Sequence, residues 1–165
     1  MIIRVTNKFI SIGGSSTVTD ENGNELFRVK GKMKLFSPTR KKTIYDKEGK
    51  KLFTVRNKFW KIPFAFHSSL IYDENGDKLG RLKQRMSRAN RYVLMGDYFD
   101  SIRIGKHEDY RGLTIMKNDV PIAAFVDTSI VRDNYSVDCI SEEDINLIVA
   151  LVIAVDNIRD NNRED

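Results

Sequence analysis

The sequence holds few of the residues from which reactive sites are usually built. A single cysteine, Cys139, in 165 residues rules out an internal disulfide framework and suits a reducing cytoplasm. With no histidine or lysine near it in sequence, Cys139 reads as a small apolar strand residue rather than a reactive thiol. The two histidines, His67 and His107, are too few for a histidine-rich metal site, and neither sits in an HExxH or GxSxG setting. No P-loop or dinucleotide fingerprint occurs. No apolar run reaches the roughly 20 residues that a membrane-crossing helix requires, and Met1-Ile2-Ile3-Arg4-Val5 reads as a strand rather than a signal-peptide core. These absences point away from an enzyme, a metal centre, a bound cofactor and a transmembrane span.

What is present describes a soluble globular chain, 41% hydrophobic and 31% charged. Residues 1–165 are most simply one domain, long enough to bury about 70% of its unfolded surface without covalent staples. The net charge of +5 hides a split. Arg28 to Arg91 carries 19 Lys/Arg against 5 Asp/Glu, a net of +14, whereas Tyr92 to Asp165 carries 7 against 15, a net of −8. Such a division can steer an anionic partner to one side, or let the two halves attract each other within the fold.

Three segments repeat one pattern: Val18 to Phe27, Ile44 to Phe53 and Ile71 to Gly80, with aspartates at 20, 46 and 73. Each is a β-branched or aromatic strand end, a D-x-x-G turn whose glycine takes positive φ, then a second strand. Three hairpins in succession make an antiparallel meander. In Phe27 to Leu35 the odd positions are apolar or glycine and the even ones basic, so one face packs inward and the other carries charge. Positions eight, ten and twelve beyond each repeat aspartate are Arg28, Lys30, Lys32, then Thr54, Arg56, Lys58, then Arg81, Lys83, Arg85. Eight of these nine are cations. Side-by-side hairpins place these stripes about 10 Å apart, with one strand between them.

Further strands are expected at 91–95, 101–104, 113–116, 122–126 and 135–139, with Asn118-Asp119-Val120-Pro121 as a degenerate fourth turn. Near the end, Leu147 to Val155 is apolar at every position, so a helix there must be surrounded. Ser141-Glu142-Glu143-Asp144 has the capping-box form, which places the helix at about 142–159. The fold expected is mainly β, a closed antiparallel barrel of about twelve strands enclosing the C-terminal hydrophobic helix.

The repeats, Gly96-Asp97-Tyr98, Asn134-Tyr135-Ser136-Val137 and Leu151-Val152-Ile153-Ala154-Val155-Asp156-Asn157 together resemble the LURP-one-related family, which belongs with Tubby C-terminal domains and phospholipid scramblases. The resemblance implies a twelve-stranded barrel threaded by a hydrophobic helix. Tubby domains bind phosphoinositides through basic residues on the barrel, and scramblases are lipid-associated. Most LURP-one-related members have no assigned activity, and the cysteine-rich lipidation segment of scramblases is absent here.

The basic stripes, Arg28, Lys30, Lys32, Arg56, Lys58, Arg81, Lys83 and Arg85, suit an anionic lipid surface, to which each Lys or Arg contributes about 1 kcal/mol; the plainer alternative is a solvated face guarded against edge pairing. Nucleic acid fits less well, because Phe27, Phe53 and Phe59 fall on the opposite parity and leave the cations without a stacking platform. Phe59 to His67 is strongly aromatic, but its alternation favours core over membrane insertion. Asp20-x-Asn22-x-Asn24 and Asp73-x-Asn75-x-Asp77 look like the start of a calcium loop, yet their glycines come fourth rather than sixth, and turn chemistry explains the acids better. Asp97 and Asp100, flanking Tyr98-Phe99, read as a turn rather than an acid–base pair. The expectation is a cytoplasmic, non-enzymatic module, peripheral at a membrane through anionic phospholipid headgroups or another phosphorylated ligand, or alternatively a scaffold docking an acidic protein partner. The oligomeric state is left open.

Overall fold

The computed structural model describes residues 1–7, 15–34, 37–57, 68–84, 92–106, 112–127 and 135–162; at 7, 32–34, 37–40, 127 and 160–162 only the backbone is described. Twelve strands form one antiparallel sheet: β1 Ile2–Asn7, β2 Ser16–Asp20, β3 Glu25–Lys34, β4 Ser37–Asp46, β5 Lys51–Asn57, β6 Ser68–Tyr72, β7 Lys78–Gln84, β8 Tyr92–Met95, β9 Ile102–Lys106, β10 Gly112–Lys117, β11 Val120–Asp127 and β12 Tyr135–Cys139. Their spatial order is β8-β7-β6-β5-β4-β3-β2-β1-β12-β11-β10-β9. Each strand thus pairs with its neighbour in sequence, and β1 joins β12 through the register Ile3↔Val137. The two end strands, β8 and β9, come together at a seam without a hydrogen-bonded ladder among the described residues, so the barrel is nearly closed.

The repeat is structural as well as sequential. In each repeated turn the aspartate N–H donates to the carbonyl four residues on, from Asp20 to Asn24, Asp46 to Lys50 and Asp73 to Asp77. Gly23, Gly49 and Gly76 sit at φ of 86°, 85° and 96°, where a side chain would be strained. A register shift lies immediately before each turn, at Val18/Thr19, Ile44/Tyr45 and Ile71/Tyr72. Each aspartate also takes turn N–H groups on its own carboxylate: Asp20 Oδ1 accepts from Asn22 and Asn24, Asp46 Oδ1 from Lys50, and Asp73 Oδ1 from Asn75, Gly76 and Asp77. The oxygens that suggested a calcium loop are therefore engaged in holding the turns. The fourth turn reverses the chain with Asn118 and Asp119 at φ of 51° and 63°.

The inner wall is lined by Ile3, Val5, Val18, Val29, Ile44, Val55, Ile71, Leu82, Leu113, Ile115, Phe125 and Val137, every one at most 1% exposed. Into it runs α1, Ile145–Asn162. Its start lies three residues later than expected, because Glu142 to Asp144 form the turn that leads into it. Ser141 Oγ donates to Asp144 Oδ2 at 2.9 Å rather than accepting from a backbone N–H, and Lys117 Nζ on β10 donates to Asp144 Oδ1 at 2.6 Å. Residues 148–158 are all buried, the Leu147–Val155 run included from its second residue onward. Covering a helix that is apolar on every side supplies the hydrophobic contact that a curled sheet and a bare helix each lack alone.

Candidate anion-binding wall

The outward faces of β3 to β7 are set by parity. On β3, Phe27 and Val29 are buried while Arg28 and Lys30 are exposed, and on β5 Val55 and Asn57 are buried while Arg56 is exposed. On β7, Gly80 and Leu82 are buried and leave Arg81 and Lys83 on the outer side, half-buried. Lys32 lies on β3 opposite Lys41; Lys58 and Arg85 lie outside the described residues, as do Phe59 to His67 and His107. Thr54, the one non-basic position of the nine, is only 6% exposed, which is a poor place for a charge.

Registry then assembles something the stripes alone do not specify. Lys32 opposes Lys41, Lys41 opposes Arg56, Arg56 opposes Leu70, Leu70 opposes Arg81, and Arg81 opposes Met95. These six positions form one row across the strands, with four cations in it. Directly opposed residues have Cβ atoms roughly 5 Å apart, and like charges placed there repel. Lys41 was not among the sequence candidates, since it lies on the intervening strand; only the β4 alternation, Lys41 out and Lys42 in, would have found it. The cations differ in what already occupies them. Arg28 is paired with Glu25 at 2.6 Å, and Lys30 Nζ lies 5.1 Å from the centre of the Tyr45 ring. Lys41 and Arg56 are exposed and have no ion-pair partner among the described residues. Arg81 lies at the edge of an open cleft of about 490 Å³ between β7 and the turn after β8, which also involves Lys78, Met95, Asp97 and Tyr98.

Inside the wall the sequence reading missed a second polar group. Lys42 points inward and is 1% exposed; its Nζ donates to Asp156 Oδ2 at 2.6 Å, while Tyr135 Oη donates to Asp156 Oδ1 at 2.9 Å. Beside it, Ser69 Oγ has two acceptors for its one proton, the Ala154 carbonyl at 3.1 Å and Asn57 Oδ1 at 3.2 Å, and Asn157 Nδ2 donates to Asn57 Oδ1. The Arg159 guanidinium lies over the rings of Phe125 and Tyr135, at 5.9 and 5.7 Å from their centres. These contacts fix the last turns of the helix against β4, β5, β6 and β12. Cys139, 1% exposed, behaves as the small strand residue expected, and burial pushes its thiol pKa up to about 11.

The sequence profile of the LURP-one-related family matches residues 1–156. The chain belongs to the LURP-one-related family. A protein of Arabidopsis thaliana, solved by X-ray crystallography, superposes with a TM-score of 0.64 at 20% identity, covering 96% of this chain and 91% of that one. That likeness establishes the barrel fold. No curated protein sequence matches significantly. Among the described residues no helix is long and apolar enough to cross a membrane. Family and architecture together suggest a binding module.

Proposed function

We propose that this LURP-one-related protein is a non-enzymatic module that holds phosphate-bearing anions, foremost the headgroups of anionic phospholipids, on the outer wall of β3, β4, β5 and β7. Its described residues are Arg28, Lys30, Lys32, Arg56, Arg81 and Lys83, joined by Lys41, and the sequence pattern adds Lys58 and Arg85. The observation that carries the reading is the row Lys32, Lys41, Arg56 and Arg81. A sheet gains nothing for its own stability from like charges directly opposed on adjacent strands; an anion laid across them relieves the repulsion. At about 1 kcal/mol per cation near an acidic membrane, the row contributes roughly 4 kcal/mol, enough for reversible attachment at a cytoplasmic membrane surface.

Co-sedimentation with phosphatidylcholine vesicles, with and without phosphatidylserine, tests this. The protein is expected to pellet with the acidic vesicles only, and to be released by salt as the cations are screened. Lys41→Glu with Arg56→Glu should abolish pelleting. Competition by soluble inositol hexakisphosphate separates a general phosphate site, which it empties, from one that needs a bilayer, which it leaves bound. Equal indifference to both vesicle types and to the soluble phosphate would remove the proposal.

A further inference from the structure

The two charged halves of the sequence become two halves of the barrel, and the second half carries a surface of its own. Among the described residues the exposed large hydrophobics are Met1, Ile2, Met95, Tyr98, Val120 and Ile140. All six lie at one end of the barrel, the end with the short hairpin turns, and on the arc of that rim running from β8 to β1. The rest of the rim, made of the three repeated aspartate turns, exposes none. Backbone hydrogen bonds tie the apolar arc into one surface: Asn118 N–H donates to the Ser101 carbonyl at 2.8 Å, and the N–H groups of Ile140 and Ser141 both donate to the Ile122 carbonyl. Tyr98 is 54%, Val120 61% and Ile140 59% exposed.

Acids share this arc. Asp97, Asp100, Asp138, Glu142 and Glu143 are exposed on the same arc. Two of its cations are paired with acids, Arg103 with Asp119 at 3.1 Å and Lys117 with Asp144 at 2.6 Å, and the Met1 ammonium donates to the Cys139 carbonyl at 3.0 Å. An arc that exposes apolar side chains among an excess of acids repels an anionic bilayer. A second copy of the chain offers positive charge on its β3–β7 wall, but among the described residues that wall exposes no large hydrophobic, so it complements only half of the arc. We infer that the β8–β1 rim docks a cationic amphipathic segment of another protein, basic side chains on the acids and apolar ones against Tyr98, Val120 and Ile140. The protein then has two faces of opposite specificity: phosphate on the wall, a basic protein segment at the rim. The rim proposal does not rest on the wall proposal.

The test is fluorescence anisotropy with a labelled synthetic helix of about 18 residues that alternates leucine and lysine at helical spacing. An oligolysine of equal charge is the control. The full chain should bind the amphipathic peptide and bind oligolysine far more weakly. Val120→Ser with Ile140→Ser should weaken binding by about tenfold or more, as removal of central apolar anchors does, with an unchanged melting curve. Should that variant melt early, Glu142→Lys with Asp138→Lys on the same arc should weaken binding instead. Lys41→Glu with Arg56→Glu should leave peptide binding intact, so failure of one face is distinguished from failure of the other. The inference is overturned if neither peptide binds, if oligolysine binds as tightly, if rim substitutions change nothing, or if the rim instead mediates self-association that Val120→Ser abolishes.

Discussion

Lys41 and Lys42 are consecutive residues that meet opposite conditions. Lys42 enters the barrel, loses its water, and recovers the cost through a carboxylate 114 positions away that is itself held by Tyr135. Lys41 faces outward beside Arg56 and opposite Lys32, with solvent to screen it and no ion-pair partner among the described residues. A cation inside the wall is a structural element, because removing its partner strands a charge. One outside has no buried partner to strand and, on the proposed function, serves a ligand. On the proposed function, the contrast separates stability from binding by a one-residue step along β4.

The strongest way to break this comparison is from the inside. Asp156→Ala should cost about 3–5 kcal/mol, measured by urea unfolding, because the Lys42 ammonium is left buried and unpaired. Lys42→Met combined with Asp156→Leu should recover most of that loss, as an apolar pair replacing a buried ion pair usually does. Leu151→Asp, which forces a charge among the barrel's apolar side chains, should prevent folding. From the outside, Lys41→Glu with Arg56→Glu should shift stability by less than about 0.5 kcal/mol, as surface changes away from buried features do. A loss as large as that of Asp156→Ala would show that the outer row also belongs to the structural framework.

Smaller effects come from the helix entrance. Lys117 holds the Asp144 carboxyl below its ordinary 3.8, with Ser141 adding to the effect and burial opposing it. A carboxylate whose folded pKa is depressed stabilises the fold at pH above its unfolded value and loses that contribution as pH falls through the folded one. Thermal melts between about pH 5 and pH 2 should therefore show a component of acid destabilisation that Asp144→Asn removes. The Lys117 ammonium, raised above 10.5 first by its hydrogen bond to Asp144, gives the mirror image: its contribution is present at lower pH and lost as pH rises past that range. Smallest of all, Cys139 should resist a thiol-directed disulfide reagent at pH 8 until denaturant opens the barrel, since its thiol is buried and titrates at about 11.

Much of the fold was written in local pattern. The D-x-x-G turns, period-two strands and unbroken apolar run each specify their element within a dozen residues, which is why twelve strands and the enclosed helix are recovered with small shifts at their ends. The outward parity of Arg28, Lys30, Arg56, Arg81 and Lys83 was equally legible. The β4 alternation could place Lys41 outward but not opposite Lys32 and Arg56, because alternation within one strand says nothing of what its neighbours place opposite. Lys42 was further from view: a lysine at an inward position makes sense only once Asp156 is known to face it from the helix. The apolar rim was hidden for the same reason, since Tyr98, Val120 and Ile140 are scattered in sequence and gathered only by closing the sheet.

The central claim, that outer cations serve a ligand and inner ones the fold, is tested most directly by measuring acidic-vesicle binding and thermal stability together on Lys41→Glu with Arg56→Glu. The account predicts lost binding with an unchanged melting temperature. Retained binding, or a melting temperature that falls along with it, would contradict that claim.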